Sequence, residues 1–92
     1  MLDLPKNASA YKQTKLFDAS SVPKGLLADH QTKAGTWGVI HVQEGQLAYR
    51  ITEPGFEEDL ILGPTNLGII APEHKHHVEP LGPVKFYVEF YR

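Results

Sequence analysis

Ninety-two residues make one domain, since domains usually run to about 100–200 residues and a second core would have no room. With 41% hydrophobic and 22% charged residues the composition is that of a folded globular protein, and surface scaling gives it a folded area of about 5,400 Å². The formal charge of −2, with lysines and arginines scattered singly from Lys6 to Arg92, leaves no phosphate-neutralising stripe and so no nucleic-acid footprint.

Eight glycines and seven prolines punctuate short β-type runs along the whole chain. The first predicted strand is Tyr11 to Asp18, followed by a turn at Ser20-Ser21-Val22-Pro23. Gly25 to His30 reads as a second strand that leads into the polar loop Gln31 to Gly35. Trp37 to Gln43 is a β-branched run ending at Glu44-Gly45, a hairpin signal, with Gln46 to Thr52 as the return strand. After Pro54-Gly55 the chain is extended again from Phe56 to Leu62, and it turns at Gly63-Pro64-Thr65-Asn66. Leu67 to Ala71 and His76 to Glu79 are short strands around Pro72, and Pro80-Leu81-Gly82-Pro83 is a further turn. Val84 to Tyr91 closes the chain with Phe86, Val88 and Phe90 on one face and Tyr87, Glu89 and Tyr91 on the other. No window free of proline and glycine has the i, i+3, i+4, i+7 spacing of a helix. The expectation is one all-β domain spanning residues 1–92, with about seven or eight short strands in a barrel or sandwich.

The absence of cysteine excludes disulfides, thiolate nucleophiles and cysteine-ligated metals. No Gly-x-Gly-x-x-Gly, Gly-Lys-Ser/Thr, Gly-x-Ser-x-Gly or His-Glu-x-x-His string occurs, so a nucleotide cofactor and the standard hydrolase and zincin chemistries have no support. The acidic, proline-containing start lacks a signal-peptide pattern, and the longest apolar stretch, Leu67 to Pro72, is too short to span a bilayer. A cytoplasmic location without membrane contact is expected.

The histidines are the residues that can carry chemistry. Five are present, three of them in Pro72-Glu73-His74-Lys75-His76-His77. On an extended strand His74 and His76 share a face, as metal ligation by alternate residues needs, while His77 points the other way. The same run also fits a solvated polar loop. His30, before a glycine-bounded loop, reads first as a loop residue and only second as a ligand. Trp37 is a core plug or a pocket wall. His41 and Glu89 read as residues of an outer face.

The chain also resembles the small cupin barrels. Val42-Gln43-Glu44-Gly45-Gln46-Leu47 is similar to the turn of the first cupin motif, and Ala71-Pro72-Glu73-His74-Lys75-His76-His77-Val78 to the second. Within that group Asp29-His30-Gln31-Thr32-Lys33-Ala34-Gly35-Thr36-Trp37-Gly38, with Pro72-Glu73 and the final Phe90-Tyr91, resembles the N-terminal domain of TehB-type tellurite-resistance proteins and its free-standing relatives. The resemblance implies a cupin-like jelly roll (double-stranded β-helix) that binds a small molecule or oxyanion and has no methyltransferase domain of its own. His30 and His76 match the first and last cupin ligands, whereas Thr32 and Gly38 stand where a histidine and a glutamate would be. Imidazole chemistry adds the expectation of a divalent transition metal, Zn, Fe or Ni, on His30 and His76 with His74 as third ligand, and Trp37 is expected near the bound small molecule. A metalloenzyme of oxygenase or isomerase type and a stress-response interaction module are the alternatives. A homodimer is expected from the β-branched, aromatic strand Val84 to Tyr91, read as an edge that pairing would protect.

Overall fold

The computed structural model describes residues 4–92. Its elements are β1 (Ala10–Gln13), β2 (Phe17–Asp18), α1 (Lys24–Leu27), β3 (Trp37–Ile51), β4 (Glu58–Leu62), β5 (Gly68–Ile70) and β6 (His76–Tyr91). All six strands join one antiparallel sheet along the path β1-β6-β3-β4, with β2 on β6 and β5 on β3. β1 and β4 end that path without pairing to each other. The β-rich class is as expected, but the hydrogen bonding describes one open sheet and not the closed barrel.

Two long strands organise everything else. The first half of β3 pairs with the second half of β6 and with β5, and its second half pairs with the first half of β6 and with β4. Between the halves the register slips twice, between Val42 and Glu44 and between Gly45 and Leu47. Such bulges bend a sheet sharply. The Tyr49 hydroxyl, on the second half, donates to the Ile69 carbonyl of β5, on the first half, at 2.9 Å. The bent sheet therefore packs its halves against each other around Phe17, Ile40, Val42, Leu47, Tyr49, Ile51, Leu62, Ile70, Val78, Val84, Phe86 and Val88. The surface area, 5660 Å², is close to the scaling value.

The bulges correct the two turns expected from sequence. Glu44-Gly45 is not a hairpin, because both flanking segments pair with β6 instead of with each other. Gly45 has φ of +79°, a conformation that a hairpin turn and a bulge both favour in glycine. Pro80 to Pro83 likewise lies within β6, where the missing N–H of each proline falls at the irregular stretch of the ladder. The alternation read for Val84 to Tyr91 holds, with Val84, Phe86 and Val88 buried. That segment is no edge, however: β3 lines one side of it and β1 and β2 the other. The strands paired on one side only are β1, β2, β4 and β5, so the argument for a homodimer through this strand loses its premise.

The strand expected over Gly25 to His30 is the one-turn helix α1, opened by Pro23, whose carbonyl accepts from the Leu26 N–H at 2.9 Å. Only His30 regains β pairing, in an isolated bridge to His76. The strand expected over Tyr11 to Asp18 is split into β1 and β2. At the break Thr14 still joins β6, its N–H donating to the Val88 carbonyl at 2.8 Å and its hydroxyl accepting from the Val88 N–H at 3.0 Å. Among the described residues no helix is long and apolar enough to cross a membrane.

Candidate functional site

Because the two halves of the sheet meet only along part of their length, the inner face stays open where β2, α1 and the 23–30 segment cross it. A cavity of about 260 Å³ lies there, walled by Phe17, Leu26, Ile40, Phe86 and Val88, with His30 also on its wall. That volume exceeds the roughly 150 Å³ of an apolar cavity that holds benzene. The walls come from six separate stretches of chain, and apart from His30 and Thr14 they are apolar or glycine.

His30 is held by backbone pairing. Its N–H donates to the His76 carbonyl at 2.7 Å and its carbonyl accepts from the His76 N–H at 2.8 Å. The rings meet edge to face, with centroids 5.5 Å apart. His30 is exposed, whereas His76 opens β6 pointing inward and is 1% exposed, its ring edge also on Tyr49 at 5.9 Å. The Nδ1 of His76 lies 2.9 Å from the His74 carbonyl, which can only accept, so in the neutral ring the proton sits on Nδ1 and the lone pair on Nε2.

His74 does not complete a set with them. It lies before the strand, not on it, and its ring packs on Phe56 with centroids 4.5 Å apart. His77 points outward, as the alternation predicts, and its Nδ1 is 3.0 Å from the Asp29 carboxylate. Among the described residues no three His, Asp or Glu side chains are grouped to hold a metal ion. The side chains as placed offer two neighbouring imidazoles and do not fit a complete metal centre.

Residues 12–88 match the family model of the TehB-like domain. The chain belongs to the TehB-like domain family. It is 32% identical over 74 residues to a protein of Haemophilus influenzae Rd named as a probable S-adenosyl-L-methionine-dependent methyltransferase, TehB, covering 77% of this chain and 26% of that one. The chain thus spans about a quarter of the curated relatives it matches. The crystal structure of TehB from Haemophilus influenzae superposes with a TM-score of 0.83 at 29% identity, over 94% of this chain and 32% of the other. A crystal structure of an Escherichia coli K12 protein solved as a structural-genomics target superposes with a TM-score of 0.87 at 19% identity, covering 100% of this chain and 97% of that one, and shares the fold.

In this TehB-like domain the other residues singled out from sequence fall elsewhere. Trp37 alternates with Ile40, which faces the cavity, and so lies on the opposite face of the sheet, with Val39 and His41. There His41 stacks on Tyr87 at 4.7 Å and its Nε2 is 3.1 Å from Glu89, which also accepts from the Tyr91 hydroxyl at 2.9 Å. Thr32, at the position of a cupin histidine, is buried and ties the loop down. Its hydroxyl donates to the Thr36 carbonyl at 2.8 Å and accepts from the Glu73 N–H at 3.3 Å. Gly38, at the position of the cupin glutamate, is packed against Ile70, whose Cδ1 would stand 3.0 Å from a Cβ there. The cavity residues Phe17, Leu26 and Val88 carried no signal in the sequence beyond being apolar.

Burial, the largest influence on it, holds the His76 pKa below the ordinary value of 6.5, with the contact to the His74 carbonyl opposing. The folded state therefore resists a proton that the unfolded chain accepts. Stability is complete above about pH 6.5 and falls as the pH drops from there toward the folded-state pKa. The Asp29 pKa is lowered instead, first by the hydrogen bond from His77 and then by that from Thr52, so its contribution is present above 3.8 and lost below. Melting temperatures from about pH 7.5 to about pH 3 should fall in two steps, and His76→Leu should remove the upper step only.

Proposed function

We propose that this TehB-like domain is a small-molecule-binding module whose site is the cavity between α1 and the inner face of the sheet. The observation that carries this reading is an apolar space of about 260 Å³ with one histidine, His30, among its lining residues. Binding sites for organic molecules have this character: apolar walls supply the affinity and a few polar groups set the orientation. His30 can donate or accept, and the adjoining His76 is held in one tautomer by the His74 carbonyl.

The apolar walls favour a ligand with an organic body over a bare inorganic oxyanion such as tellurite, which would shed its hydration shell among groups that cannot replace it. A metal-dependent form of the reading would need a third donor beyond His30 and His76. In the longer TehB relatives, named as methyltransferases, a module of this kind would hold a small molecule beside that chemistry.

Two-dimensional amide NMR with a panel of small aromatic and aliphatic compounds tests the proposal. Shifts should cluster at Phe17, Leu26, His30, Ile40 and Val88, and should disappear in Leu26→Trp, whose larger ring fills the cavity while the chain stays folded. Compounds that shift none of these amides, or shift them equally in Leu26→Trp, would rule it out.

A further inference from the structure

A second cavity of about 260 Å³ adjoins the first, and His30 and Phe90 belong to the walls of both. Its character is different. The remaining wall includes Tyr11, Lys12, Lys33 and Thr36, so two lysines line a space that shares His30 with the apolar one. Among the described residues neither lysine forms an ion pair within 4.0 Å, unlike Arg50 with Asp59 or Lys85 with Glu44. A third cation stands close by, the Arg92 guanidinium lying 4.0 Å over the Tyr11 ring. No acidic side chain is among the described residues lining either cavity. The nearest carboxylate in sequence, Asp29, is engaged by His77 at 3.0 Å and by the Thr52 hydroxyl at 3.0 Å.

We infer that the ligand is an organic anion, its apolar body in the cavity under α1 and its anionic group in the basic outer cavity near Lys12 and Lys33. This rests on the small-molecule reading above and adds a charge and an orientation to it. The two spaces explain each other: an apolar molecule alone leaves the lysines unused, and a small inorganic anion leaves the inner cavity unfilled. His30, common to both walls, stands where body and charge meet and can donate a hydrogen bond to the anionic group. The apolar part sets retention, while the lysines discriminate by charge and draw anions toward the mouth.

One body carrying three charges makes the test. Phenylacetate, phenylethanol and phenethylamine are titrated calorimetrically against the wild-type protein and against Lys12→Met/Lys33→Met, with sodium sulfate as an anion lacking the body. Both lysines are exposed, so the double variant should keep its fold and its melting temperature. Phenylacetate should bind about tenfold more tightly than phenylethanol, phenethylamine most weakly, and sulfate without measurable affinity. Added salt should shrink the preference and the double variant should erase it while leaving phenylethanol affinity unchanged. Equal binding of phenylacetate and phenylethanol to the wild-type protein would overturn the anion assignment and leave the cavity reading standing. Sulfate binding as tightly as phenylacetate would overturn the need for an organic body. A wild-type protein that binds none of the three phenyl compounds would remove this inference together with the reading beneath it.

Discussion

Gly45→Ala should cost at least about 3 kcal/mol and leave little folded protein at physiological temperature. Two effects add. A φ of +79° is strained for any residue with a Cβ, and the Cβ built at this position stands 2.1 Å from the Pro83 carbonyl oxygen and 3.0 Å from the Val84 Cα. Those are backbone atoms of β6, so no rotamer relieves the clash, and β3 and β6 must separate where the sheet bends. The adjoining pairs, Gly45 with Val84 and Leu47 with Pro80, hold the register of the two halves, so the damage spreads to both. Gly55 is the control: its φ is +87° but nothing lies within 4 Å of a Cβ there, so Gly55→Ala should cost only the conformational strain, about 1 kcal/mol. Urea denaturation of the two variants measures the difference. A Gly45→Ala protein within 1 kcal/mol of wild type would mean that the bulge does not position β6 as described.

Phe86→Ala should cost about 3–5 kcal/mol, against about 5–14 kcal/mol for the whole of a 92-residue domain. The ring is fully buried, meets Phe17 with centroids 5.6 Å apart, and walls the inner cavity. Its removal opens a void that merges with a space already empty of protein atoms, and a rigid sheet cannot collapse to close it. The loss should be partly reversible by ligand. A bulkier apolar compound able to occupy the merged space should raise the melting temperature of Phe86→Ala more than that of the wild type, since it binds the folded form only. Ile61→Ala, at a side chain 53% exposed on edge strand β4, should change stability by less than about 0.5 kcal/mol. If Phe86→Ala melts like the wild type, the core is not packed as described here.

Local chemistry determined a good part of this protein in advance. Period-two alternation put Phe86, Val88 and Phe90 on one face and set His77 opposite His76, because a strand places successive side chains on opposite faces whatever it pairs with. The string from Asp29 to Gly38 carried the family, and the Pro72-to-His76 offset put His76 beside His30, where the isolated bridge has it. Tertiary structure decided the rest. Glu44-Gly45 reads as a hairpin because a tight turn and a bulge demand the same left-handed glycine, and only the strand that supplies the hydrogen bonds, β6, separates the two. Whether Trp37 is a core plug or a pocket wall turned on Ile40, on the other face of β3, lining the cavity, and the structure places His74 before β6, packed on Phe56. The cavity was illegible for a further reason. Phe17, Leu26, Ile40 and Val88 lie far apart in the chain, each an ordinary apolar residue, and a space between side chains exists only once long-range pairing has bent the sheet around it.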